Sequence, residues 1–280
     1  MRYYFFSDIH GNMAALKRCT AHIDGNRVDE AYCMGDIVGW LPFGDRTLEY
    51  MRSLSLPTVA GNHDLLVAGL FGDHPHQIDR MQASAYNAGL IASIPGASDY
   101  LLQLPLAIEK NDLFTVVHHS PFHLPQPGDP LTIQCFNYLD EKAIEGCLFQ
   151  WQSHPKRLIF SGHDHIPAIY ELPDTITTSK IADMIVHRPG LTESFTVRLN
   201  PCSRYWIKVG SVGGPYRDGI AVANSAIYDS TEEAVTLYRL KYPTQVLCCE
   251  LMSNLYFRNI PTIQRYIEML KERNAIRSDA

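Results

Sequence analysis

The chain has 280 residues, 24 Lys and Arg against 30 Asp and Glu, a formal net charge of −6 with its 12 His neutral, and a composition 46% hydrophobic and 19% charged. That is globular, with ample length to bury a core; net acidity gives no bulk attraction to nucleic acid, and no apolar run reaches the ~18 residues that a bilayer span needs. Seven Cys with no C-x-x-C pair argue against a disulfide scaffold, and a strand starting at Tyr3 leaves no room for a signal peptide, so the expected location is the cytoplasm.

In chain order, Tyr3–Phe6 reads as a strand, and Asn12 as the cap of a helix from Met13 with Ala14, Ala15, Leu16 and Cys19 on its apolar side. Glu30–Met34 is a second strand, Arg46–Leu54 a helix and Thr58–Ala60 a third strand. Asp79–Ile94 is helical and stops at Pro95. Leu113–Val117 and Arg157–Phe160 are short strands, and between them Asp140 opens a helix through Trp151. Strands alternating with helices predict an α/β fold. Thereafter Ala168–Leu172, Ser194–Leu199, Tyr205–Val209, Ser225–Tyr228 and Ala234–Arg239 read as strands of a second sheet. Residues 173–192 show no clear period. Val246–Leu255 follows, and Pro261 begins a helix to about Lys271. The expected organisation is one unit over 1–242, with insertions at about 72–110, 122–156 and 173–192, and a helical extension over 243–280.

Five polar motifs follow strand candidates: Asp8-Ile9-His10-Gly11-Asn12, Gly35-Asp36, Gly61-Asn62-His63-Asp64, His118-His119-Ser120-Pro121 and Gly162-His163-Asp164-His165. Strand ends are where ligands bind in open α/β sheets. Carboxylate, imidazole and carboxamide groups suit hard or borderline metals. Asp8 and His10, like His163 and His165, stand two apart, so at an extended strand end both side chains can face one way. Seven candidate ligands exceed one tetrahedral zinc site and fit two metals sharing a carboxylate.

This ordered set, together with Gly210-Ser211-Val212-Gly213, Pro215 and Arg217-Asp218, resembles the calcineurin-like metallophosphoesterase superfamily, in particular its small bacterial branch that includes diadenosine polyphosphate hydrolases. The resemblance implies a layered α/β/β/α sandwich of two sheets flanked by helices, with segments 72–110 and 122–156 able to build a cap. It implies two divalent ions, of manganese, iron, zinc, cobalt or nickel. Asp8, His10, Asp36 and His165 resemble the ligands of one ion, and Asp36, Asn62, His118 and His163 those of the other, with Asp36 bridging. His63 resembles the catalytic imidazole and Asp64 the carboxylate that orients it. The implied reaction is hydrolysis of a phosphodiester or diphosphate anhydride of a small or nucleotide-like substrate, by attack of metal-bound hydroxide with His63 as general acid. The alternatives are a phosphomonoesterase or protein phosphatase, and a non-catalytic binding module on the same scaffold.

The chain departs from the family pattern at three places. Gly39 stands where many members have a second Asp. His119 replaces the glycine after His118, which makes it a substrate contact, an alternative ligand or a supporting group. Lys208-Val209 replaces Asn-Pro, placing Lys208 near the phosphate or in solvent. Ser211 and Arg217 are further candidates for substrate contact, since Arg suits phosphate. Trp40, Phe43 and Phe71 are candidates for stacking on a base, and His74, His76 and His123 for lining the mouth of the site.

Overall fold

The computed structural model describes residues 1–71, 78–126, 128–174 and 183–276. Alternation along the first strand sets the layering. In β1 (Arg2–Phe6), Tyr3 and Phe5 point to one side, into a core shared by two sheets. Tyr4 and Phe6 point to the other, onto helices. The same division recurs in β5 (Leu158–Ser161), where Leu158 and Phe160 face the inner core while Ile159 packs outward with Trp151. Across the inner core, the Phe5 and Phe160 rings stack with centroids 3.7 Å apart.

One sheet has the order β2-β1-β10-β11-β8, with β2 Glu30–Cys33, β8 Ser194–Arg198, β10 Ala223–Asp229 and β11 Ala234–Leu240. The other runs β3-β4-β5-β9-β6-β7, with β3 Ala107–Lys110, β4 Phe114–Val117, β6 Ala168–Pro173, β7 Ile185–His187 and β9 Ser203–Lys208. Helices α1 (Met13–Gly25), α2 (Gly44–Leu54), α8 (Thr244–Ser253) and α9 (Pro261–Ile276) cover the first sheet, and α6 (Glu141–Glu145) and α7 (Leu148–Ser153) the second. This is the expected α/β/β/α sandwich. β1 pairs parallel with β2, and β4, β5 and β9 are mutually parallel, so within each sheet these strands end at one edge.

Several sequence expectations are corrected. The late strands do not form their own sheet: β8, β10 and β11 extend the sheet of β1, while β6, β7 and β9 extend that of β4. Alternation reveals which face of a strand is buried, not which sheet it joins. Thr58–Ala60 makes only an isolated bridge, Cys33 to Thr58. The helix from Asp140 breaks into α6 and α7 at Gly146-Cys147. Residues 62–67 form a helix, α3 (Asn62–Val67), where none was expected. The 72–110 stretch is divided: α4 (Ile78–Ile91) reaches the cleft, whereas α5 (Ala97–Gln103) is followed by β3, the edge of a sheet. Asn12 does cap α1, its side chain accepting from the Ala15 N–H. All seven Cys are free, four buried and Cys202 and Cys249 exposed.

Candidate functional site

The loops after β1, β2, β4 and β5, together with the start of α3, converge at one end of the sandwich. The backbone there is unusual. Asp8, His10, Asp36, His163 and His165 all have positive φ, between 51° and 66°. The Asp8–His10 and His163–His165 pairs therefore converge through left-handed turns, not along extended strand ends as their spacing suggested. Such conformations cost of order 1–3 kcal/mol each and cluster where a function holds them. Cross-sheet hydrogen bonds fix the turns: the His163 N–H donates to Asp8 Oδ2 at 3.0 Å, and the Gly213 N–H to the Asp8 carbonyl at 2.8 Å.

Two groups of side chains meet. In the first, His165 Nε2 lies 3.2 Å from Asp8 Oδ1 and 3.3 Å from His10 Nε2. In the second, His118 Nε2 lies 3.1 Å from both Asn62 Oδ1 and His163 Nδ1. Asp36 Oδ2 joins them, 3.5 Å from His10 Nε2 and 3.4 Å from His118 Nε2. All seven are buried. The other ring nitrogen of His118 faces the Met34 carbonyl at 2.6 Å, that of His165 the Pro215 carbonyl at 2.9 Å, and that of His10 the Val38 carbonyl at 3.4 Å. Those Nδ1 atoms are then the donors, and the Nε2 lone pairs point inward. Lone pairs 3.3 Å apart repel unless a cation lies between them, and Asp8 Oδ1 accepts no hydrogen bond. The donor set fits cations.

The electrostatics agree. Burial disfavours a charged His118, yet Asp36 and Asp8 outweigh it and push this imidazole up to about 10. Burial opposes charge on Asp36 too, but the surrounding histidines hold it well below the usual carboxylate range. The pocket floor thus attracts positive charge strongly.

His63 sits at N2 of α3. Its N–H donates to Asp36 Oδ1 at 2.8 Å, and its ring lies 4.7 Å from that of His10. Burial holds it well below its ordinary value despite Asp36. Asp64 does not orient His63. Its carboxylate accepts the backbone N–H groups of Asp36, Ile37, Val38 and Gly61, and His63 Nδ1 has no partner. Asp64 braces the loop that presents Asp36. Burial and the charge of Asp36 push it up to about 7, against the pull of those N–H groups.

Above the floor opens a cleft of about 550 Å³, lined by His10, Asp36, Asn62, His63, His163 and His165 at its base. Trp40, Arg80, Tyr138, Pro215, Arg217 and Thr262 are among its walls. Its size suits a small molecule. Of the expected substrate contacts, Arg217 lines the cleft and the other two do not. Ser211 is buried, its hydroxyl bonded to the Asp8 and Gly214 carbonyls and to the Gly214 N–H, so it holds the turn. His119 is 3% exposed behind His163, with neither ring nitrogen hydrogen-bonded; burial holds it down to about 3. Trp40 reaches the cleft, whereas Phe43 and Phe71 do not, Phe71 packing on Phe136. His123 bonds Ser120 Oγ away from the cleft, and His74 and His76 lie outside the described residues. Arg80, Tyr138 and Thr262 were missed because no motif marks them.

Residues 1–174 match the family described as calcineurin-like phosphoesterase. The chain belongs to that family. It is therefore a phosphoester hydrolase by descent, in a family that works with two metal ions. The crystal structure of a metallophosphoesterase from Sphaerobacter thermophilus is 27% identical, with a TM-score of 0.71 over 97% of this chain and 99% of that one. An uncharacterised protein of Methanocaldococcus jannaschii is 29% identical over 84% of this chain and 86% of its own. A symmetrical bis(5'-nucleosyl)-tetraphosphatase of Shewanella baltica is 34% identical over 164 residues, 57% of this chain. The chain thus spans about half, 56%, of that relative's length.

Within the calcineurin-like phosphoesterase frame, the departures have structural reasons. Gly39 has φ +112°, and a Cβ there would stand 2.7 Å from His63 Cβ, so the loop lies directly on the imidazole. Lys208 faces neither phosphate nor solvent: it is buried, paired with Asp164 and donating to the Leu139 carbonyl. Asp164 also accepts the Leu139 N–H. The middle residue of Gly162-His163-Asp164-His165 thereby ties the 137–140 loop to the site. No helix is long and apolar enough to cross a membrane, among the described residues.

Proposed function

We propose that this chain is a two-metal phosphoesterase that hydrolyses a phosphodiester or diphosphate anhydride of a small, nucleotide-like substrate. The observation that carries the reading is Asp36 Oδ2, one buried oxygen within 3.5 Å of imidazoles from both ligand groups at the base of a small-molecule cleft. Asp8, His10, Asp36 and His165 would hold one ion, and Asp36, Asn62, His118 and His163 the other. Manganese, iron, zinc, cobalt and nickel all suit these donors. When bound, the two ions would supply charge neutralisation at the phosphoryl oxygens and a water of lowered pKa.

The chain's own residues do the rest. Asp64 fixes the Asp36–Val38 backbone, and α3 presents His63 beside the phosphate position. Burial keeps the His63 ring neutral. An anionic phosphoryl group beside it raises its affinity for a proton, which it then passes to the leaving oxygen. The unit over 1–242 carries this chemistry, and the 243–280 extension adds Thr262 to the cleft wall. The similarity to a tetraphosphatase supports a nucleotide-like substrate; the wall residues also favour more than a bare monoester.

The test is metal content together with a substrate panel of phosphodiesters, diadenosine polyphosphates, phosphomonoesters and a phosphopeptide, run with each candidate metal. About two ions per chain, and faster turnover of diesters or anhydrides, are expected. Preference for the phosphomonoester or phosphopeptide would make it a phosphatase. No turnover with any metal would make it a binding module.

A further inference from the structure

The cleft carries positive charge that the metal-binding floor does not use. Arg80 comes from α4, Tyr138 from the 137–140 loop and Arg217 from the loop after β9, three segments far apart in sequence, and all line the cleft. Tyr138 organises them. Its ring stacks on His163, with centroids 4.8 Å apart and planes 21° from parallel. The Arg217 guanidinium carbon lies 3.8 Å from the same ring's centroid. Arg80 donates from its Nη2 to the Tyr138 hydroxyl at 3.2 Å.

Several arginines among the described residues are answered by carboxylates: Arg239 by Asp218, Arg157 by Glu233, Arg46 by Glu250. Among the described residues, Arg80 and Arg217 have no such ion pair. Asp79, the acid beside Arg80, also lines the cleft, but its carboxylate accepts the Thr262 N–H. Each guanidinium thus keeps spare N–H donors of the kind that match phosphate bidentately. Tyr138 fixes their height: its ring lies against His163, a floor residue, and carries Arg217, so this charge stands on the wall, one ring away from the ligands that would face the reacting phosphoryl group.

We propose that Arg80 and Arg217, mounted on Tyr138, form a second anion subsite that binds the phosphoryl group adjoining the one hydrolysed. The substrate class is then a diphosphate or longer polyphosphate chain. A simple diester has no second phosphate to offer the wall. The proposal rests on the phosphoesterase reading for the position of the first phosphoryl group, and it adds three residues that fix specificity. It assigns no catalytic step to them.

The experiment compares binding of orthophosphate and of imidodiphosphate, a non-hydrolysable diphosphate, to manganese-loaded protein by calorimetry, with metal content measured in each variant. Wild type is expected to prefer imidodiphosphate. In Arg80→Gln/Arg217→Gln that preference should shrink about 30-fold or more, since each arm removes charge-assisted hydrogen bonds. Tyr138→Phe keeps the platform under Arg217 but takes the acceptor from Arg80, and should lose only part of the preference. A nucleoside imidotriphosphate binding more tightly than imidodiphosphate supports a nucleotide source of the diphosphate; equal binding supports an inorganic one. The proposal is overturned if the double variant keeps the wild-type preference with its metals in place. If wild type hydrolyses none of the substrate panel but the preference still collapses in the double variant, the phosphoesterase reading fails and the subsite stands. If wild type turns over diesters and anhydrides and the variants alter both equally, the subsite fails and the phosphoesterase reading stands.

Discussion

The floor of the cleft and its wall are built on opposite principles. The floor is buried and over-determined. Three of its imidazoles are aimed by backbone carbonyls, Asp36 is braced by Asp64, and the strained turns are locked by cross-sheet hydrogen bonds. The wall is assembled from side chains of α4, the 137–140 loop, the loop after β9 and α9, and it is open: Tyr138 is 46% exposed. A ligand set must hold several donors in one geometry, so rigidity serves it. A specificity surface needs only to present charge at the right height. The difference implies that chemistry and substrate choice can be perturbed separately.

The largest expected effect is at the shared oxygen. Asp36 accepts the His63 N–H with one oxygen and faces His10 and His118 with the other. In Asp36→Asn a single oxygen cannot serve both, and the amide would bring N–H groups into the ligand position. Metal affinity should fall by more than about 100-fold, beyond what loss of a supporting partner costs, with activity following. Retention of both ions, measured by elemental analysis, would remove Asp36 from the bridging role. Next is His63→Ala, expected to lower kcat about 10²- to 10⁴-fold, the range for a lost acid–base group, with metal content near wild type. Because His63, His10 and Asp36 can bring ligand atoms within 4.8 Å of one another, simultaneous loss of metal would identify His63 as a ligand and not an acid.

Lys208 joins the two regions. It is 2% exposed and paired with Asp164, and both bond the Leu139 backbone beside Tyr138. Lys208→Met removes one partner of a buried pair and leaves the other charge uncompensated, a loss of about 3–5 kcal/mol. Denaturant unfolding should show that loss, and the preference for imidodiphosphate should weaken with the loosened loop. Adding Asp164→Asn should recover part of the stability. If Lys208→Met unfolds at the wild-type midpoint, the pair is not a tie between floor and wall.

The floor was legible in the sequence because each motif is short and self-contained: Gly35-Asp36 and Gly61-Asn62-His63-Asp64 name their own ligand types. Their backbone was not legible. Left-handed Asp8 is held by cross-sheet bonds from His163 and Gly213, and left-handed His10 by backbone bonds to Asp36 and Leu41, and local spacing carries no trace of such contacts. The resemblance gave Asp64 as the carboxylate that orients His63, whereas the helical start of α3 turns that carboxylate onto the Asp36 loop. The sandwich as a layered α/β fold was legible, but the assignment of late strands to sheets was not, since neither the near-continuous burial of β6 nor the alternation of β8 names the sheet that the strand joins. The wall was the least legible part. Arg80, Tyr138 and Thr262 belong to no motif, and only the packing of their segments makes them neighbours.

The smallest expected effect tests whether the C-terminal helix belongs to the wall alone. Tyr266, in α9, donates to the Gly213 carbonyl at 2.9 Å and packs edge-on against Trp40 with centroids 4.6 Å apart. The Gly213 N–H in turn holds the Asp8 carbonyl. Tyr266→Phe keeps the ring contact and leaves the Gly213 carbonyl with the longer Asn12 Nδ2 donor at 3.4 Å, a loss of about 1 kcal/mol. If α9 is wall, both metals should be retained and orthophosphate affinity should change by less than about 3-fold, because the Gly213–Asp8 bond and the left-handed turn remain. Loss of metal from the Asp8 group would show that the hydroxyl's hold on the Gly213 peptide is needed to keep Asp8 in its turn. The floor would then extend through Gly213 into the helix, and the separation of chemistry from substrate choice would fail at that point.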